Sequence, residues 1–93
     1  MNRKKLINLR KKIDKLDNKI FNLIRTRTYL VNKMIAIKNN RSQIVDKKRM
    51  KTILNKIKKK SLKYKIDPKI TNTIWNSMIW AFIKYQRKNF GKK

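Results

Sequence analysis

Arg27 stands where the pattern of its own segment calls for an apolar residue. Leu6, Leu9, Ile13, Leu16, Ile20, Leu23, Leu30, Met34 and Ile37 step by three and four residues, and position 27 is the missing member of the series. A guanidinium on such a seam is costly to bury unless an anion pairs with it. The plainer alternative is that Arg27 reaches solvent or pairs with an aspartate of another chain. Beside the seam runs a second series spaced by seven: Arg10, Asp17, Ile24, Val31 and Lys38. Arg27 and Lys38 are about three helical turns apart on nearly one face, so their long side chains can converge on a small dianion. Arg10 lies roughly 25 Å from Arg27 along the same helix and reaches that ligand only from an antiparallel partner.

Gln86 is the other intrusion. It follows Phe82 by four residues and Ile79 by seven, on the apolar face of the last helical segment. A buried amide needs hydrogen-bond partners, whether a ligand or the backbone at a fraying helix end. Trp75, Trp80 and Phe82 read as packing residues before ligand stackers. The chain has no His, Cys or Glu. Nucleophilic triads, His-based metal sites and paired-glutamate hydrolysis therefore lack their parts, and no Gly-rich phosphate loop is present. The chemistry left is one that proceeds by positioning and electrostatics, without obligatory proton transfer.

These residues require helices to position them. Residues 3 to 40 contain no Pro or Gly, and their apolar period is heptad-like, so the segment reads as one long helix ended by Asn39-Asn40-Arg41-Ser42. A second helix is expected over 46–64, with Met50, Ile53, Leu54, Ile57 and Tyr64 on its apolar side. Asp67-Pro68 supplies an N-cap and a proline at the first helical position, opening a third helix over 68–89. Its core face comprises Ile70, Ile74, Trp75, Met78, Ile79, Phe82 and Ile83, and 90–93 form a frayed tail. The class is all-α, a single domain of three helices, one long and two shorter. A seam of roughly 54 Å is too long for the two shorter helices to cover. The long helix is therefore expected to pair with a copy of itself in an intertwined homodimer.

The 93 residues carry 29 Lys and Arg against 4 acidic residues, a formal charge of +25. Such a charge favours polyanions through counterion release. A competing account is compositional: Lys, Asn and Ile make up about half the chain and share A/T-rich codons. The lysines spread over every helical face without forming one stripe, which favours the compositional account and leaves nucleic-acid binding non-specific. No stretch is apolar enough to span a membrane, no h-region follows the basic N-terminus, and the cysteine-free chain is expected in the cytoplasm.

Six short segments, in order, resemble the all-helical chorismate mutase family. Leu9-Arg10-Lys11-Lys12-Ile13-Asp14-Lys15-Leu16-Asp17 is similar to its opening LRxxIDxlD, Leu23 to Arg27 to LLxxR, and Ile35 to Lys38 to ixxxK. Val45-Asp46-Lys47-Lys48-Arg49 resembles the start of its second helix, Ile66-Asp67-Pro68 the start of its third, and Ile79 to Gln86 its closing I-x6-Q/E. The resemblance implies a [3,3] rearrangement of chorismate to prephenate, in aromatic amino-acid biosynthesis, with no cofactor or metal and no covalent intermediate. It implies that Arg10 of one subunit joins Arg27 and Arg49 of the other on the substrate carboxylates. Lys38 and Gln86 would donate to the breaking ether oxygen, and Asp46 would contact the ring hydroxyl.

Two positions depart from the family pattern. Met50 stands where a Glu often follows the second-helix Arg, and Phe82 where a Ser often precedes the Gln by four. With Ile79 and Ile83 they make the expected pocket wall more apolar. Phe82 is reminiscent of the related isochorismate pyruvate lyases, whereas Asp46 suits the hydroxyl of chorismate. The alternatives to a mutase are such a lyase, or a non-catalytic basic helical dimer that binds nucleic acid.

Overall fold

A computed structural model describes residues 2–91; the two terminal lysines of the expected tail, Lys92 and Lys93, lie outside the described residues. Three α-helices follow one another: α1 over Arg3–Ile37, α2 over Lys47–Lys63 and α3 over Pro68–Asn89, with a 3-10 turn at Arg41–Gln43 between the first two. Among the described residues there is no strand. The architecture is all-α, with one long helix and two shorter ones.

Local side-chain chemistry sets the boundaries. Asn2 Oδ1 accepts from the Lys5 N–H at the start of α1. At its other end, Gln43 Oε1 accepts from the N–H groups of Asn39 and Asn40 at 2.6 and 3.2 Å, taking those amides out of the helical ladder. The helix therefore closes at Ile37, three residues before the expected end at 40. Asp46 caps α2, accepting from the Arg49 N–H at 2.9 Å. Lys65, at φ 57°, turns the chain out of α2 while the Ile66 N–H reaches back to the Ser61 carbonyl. Asp67 caps α3 with Pro68 in its first turn.

The chain divides into two compact units, Met1–Leu30 and Val31–Lys93. The first is a stretch of single helix. Its seam residues Leu9, Ile13, Leu16, Ile20 and Leu23 are all more than half exposed. The second packs α2 on α3 around Ile44, Ile79 and Ile83, with Val45, Met50, Ile53, Leu54 and Phe90 against them. Phe90, expected in the frayed tail, is thus tied to the core, and the Arg41 guanidinium lies over its ring. Ser61 is buried between the helices, its hydroxyl donating to the Ile57 carbonyl and lying 2.6 Å from the Thr71 hydroxyl.

The apolar faces run past this core. Ile70 and Ile74 on α3 and Tyr64 at the end of α2, all expected to be inward, are more than half exposed. The buried core is centred on the 79–83 turn of α3; in the first turn Ser61 of α2 meets Thr71, while Ile70 and Ile74 beside it stay exposed.

Candidate active site

Lys38 follows the last residue of α1. Its backbone N–H still reaches the carbonyls of Met34 and Ile35, at 3.2 and 3.3 Å. From there its ammonium donates to Gln86 Oε1 at 2.7 Å, a half-buried bond between residues 48 apart in sequence. Gln86 is 7% exposed. The partner of this amide oxygen is the Lys38 side chain, rather than the backbone of a fraying helix end. The pair leaves the Gln86 amide nitrogen and two ammonium protons as further donors. Donors held side by side can meet a single oxygen on which negative charge develops.

Of the residues expected in the apolar wall, Ile79 and Ile83 are buried and Met50 and Phe82 half-buried. Ile79, Ile83 and Met50 are core residues of the α2–α3 unit. Phe82 meets the Tyr85 ring edge-on, with centroids 6.5 Å apart and planes at 83°. Asp46 and Arg49 share the first turn of α2, both exposed. One carboxylate oxygen of Asp46 is engaged as the helix cap, so a contact with a ligand would use the other. An open concavity of about 610 Å³ borders Asp46 and is lined also by Ser42, Gln43, Val45 and Lys47.

Arg10 and Arg27 both belong to the unit formed by the first thirty residues. Arg10 is exposed and Arg27 half-buried. Both lie on the continuous helix α1, roughly 25 Å apart along it.

Three contacts were not singled out in the sequence. Tyr85 donates its hydroxyl to Asn32 Oδ1 at 2.6 Å, Arg41 Nη1 donates to the Arg87 carbonyl at 3.0 Å, and Gln43 organises the turn after α1. The adjacency of Tyr85 to Gln86 was the one available signal for the first. Nothing in the residue types marks the other two. Among the described residues no cluster of metal-ligating side chains occurs, and no helix is long and apolar enough to cross a membrane.

A three-helix chain that pairs a lysine after its long helix with a glutamine on its last helix has the arrangement of an all-helical mutase. The family model described as chorismate mutase type II matches residues 9–87, and the chain belongs to that family. It is 38% identical over 76 residues to a chorismate mutase of Methanocaldococcus jannaschii, the match covering 81% of this chain and 77% of the relative. No solved structure matches.

Proposed function

We propose that this protein is a chorismate mutase, converting chorismate to prephenate, and that it acts as a homodimer. The observation that carries the reading, beside family membership, is the Lys38–Gln86 pair. In the rearrangement the allylic C–O bond breaks as a C–C bond forms, and no proton or leaving group is exchanged. Catalysis then requires holding the dianion in its compact conformer and stabilising charge that grows on the ether oxygen. Arg27 and Arg49 of one subunit, with Arg10 of the other, hold the carboxylates. Lys38 and Gln86 donate to the ether oxygen, and Asp46 takes the ring hydroxyl. Met50, Ile79, Phe82 and Ile83 supply the apolar wall. The half-exposed α1 seam and the uncovered Ile70 and Ile74 support the dimer, because a lone chain leaves both in water. We assign the chain to the cytoplasm, and its charge to a non-specific, salt-sensitive attraction for nucleic acid.

The test is incubation of purified protein with chorismate and, separately, isochorismate, with products identified. Prephenate from chorismate supports the reading. Salicylate and pyruvate from isochorismate alone would make it a lyase, and turnover of neither by a folded dimer would leave the basic scaffold.

A further inference from the structure

The Lys38–Gln86 contact joins a residue outside any helix to the middle of a helical face, so something must hold the exit of α1 against α3. The buried cluster of Ile44, Ile79 and Ile83 draws on the turn and α3; on α1 itself Val31 is buried, but an aliphatic contact fixes no direction. The directional tie comes from Asn32, next to Val31 and six residues before Lys38, whose Oδ1 accepts from the Tyr85 hydroxyl at 2.6 Å. Tyr85 and Gln86 are neighbours on α3, whereas Asn32 and Lys38 are separated by about 9 Å along α1 and its exit. A single contact leaves a segment free to pivot about it; two at that separation fix its direction. The edge-on Phe82 ring packs beside the Tyr85 ring and restrains the swing about its Cα–Cβ bond that would carry the hydroxyl away. On the far side of Lys38, Arg41 donates to the Arg87 carbonyl, so the lysine is bracketed.

We propose that Tyr85 and Asn32 are positioning residues for Lys38: their hydrogen bond sets the direction of the α1 exit and thereby the place of the ammonium beside Gln86. The proposal rests on the mutase reading, in which that ammonium meets the ether oxygen. Misplacing a reacting group by about an ångström costs up to a hundredfold in rate, and an ammonium on four methylenes drifts readily once its backbone does.

Tyr85→Phe removes the hydroxyl and keeps the ring against Phe82. It is expected to lower kcat roughly tenfold or more with KM within about twofold of the parent. Asn32→Leu should reproduce the loss, Asn32→Asp should retain most activity because the acceptor oxygen stays, and the Tyr85→Phe/Asn32→Leu double variant should be no worse than either single one. In a Lys38→Ala background Tyr85→Phe should cause no further fall. A merely structural tyrosine would lower the rate by the same factor in both backgrounds, and that outcome, or parental kcat in Tyr85→Phe, overturns the proposal. The Gln86 side-chain amide signals in a proton–nitrogen correlation spectrum read the contact without turnover. They should move toward their Lys38→Ala positions in Tyr85→Phe, and unmoved signals overturn the proposal even for a protein inactive on chorismate. Inactivity of the parent protein would count against the mutase reading alone.

Discussion

The Lys38 ammonium and Gln86 Oε1 lie 2.7 Å apart across 48 residues of sequence, with the amide buried and the lysine half-buried. Each satisfies the other, so the buried amide oxygen is not left unpaired. The arrangement also keeps the ammonium beside the amide, and under the proposed mechanism both donors would need little reorganisation to meet the ether oxygen. Electrostatic catalysis depends on donors placed before the charge appears.

Replacing Lys38 by Ala should therefore separate turnover from folding. Loss of a donor to a developing oxyanion costs about a hundredfold to a thousandfold in kcat. The abandoned Gln86 amide costs stability of roughly 1–3 kcal/mol. Steady-state kinetics beside thermal unfolding of the dimer checks both, and a near-parental kcat would remove Lys38 from the site.

Asp46 caps α2 and is proposed to contact the ring hydroxyl, two duties that substitutions can divide. Asn caps a helix about as well as Asp, so Asp46→Asn should leave the melting temperature nearly unchanged while weakening any contact with the substrate hydroxyl. Asp46→Ala should lose the cap as well, about 1 kcal/mol. If the two variants share one activity and differ only in stability, Asp46 is a cap alone.

Ser61 should behave in the opposite way. Its buried hydroxyl joins the Ile57 carbonyl to Thr71 at the α2–α3 contact, away from the Lys38–Gln86 pair. Ser61→Val should destabilise by about 1 kcal/mol, since the Thr71 hydroxyl keeps only its 3.3 Å bond to the Pro68 carbonyl. kcat at a temperature where the variant is folded should be unaffected.

The α1 seam predicts the oligomeric state. Light scattering should give twice the chain mass of 11.4 kDa, and Leu16→Lys/Ile20→Lys should dissociate the dimer and abolish activity. A parent protein that stays monomeric at micromolar concentration would remove the basis for a shared pocket.

The helices were legible because their signals are local: a period of three and four, an Asp-Pro cap, a polar stop. Core membership is only partly legible in the apolar pattern of the chain. Ile79 and Ile83 are buried as their pattern indicates, while Ile70, Ile74 and Tyr64 have the same apolar character and remain exposed, because no pattern within one chain states where a packing partner ends. Gln86 drew notice as an amide on an apolar face, yet its pairing with Lys38 is a tertiary fact. Tyr85 and Asn32 gave no signal, since a half-exposed Tyr and an Asn on a helix are common and their bond spans the fold. α1 ends three residues before 40 because Gln43, beyond the start of the polar stop, captures the amides of Asn39 and Asn40.

The proposed catalytic pocket takes Arg10 from one chain and Arg27 from the other. Arg10→Ala and Arg27→Ala should each be inactive as homodimers. After complete subunit exchange between equal amounts, half the dimers are hybrids and each hybrid holds one intact pocket, so about a quarter of the parental chorismate turnover should return. No recovery, with exchange verified by mass, would contradict a pocket shared between chains.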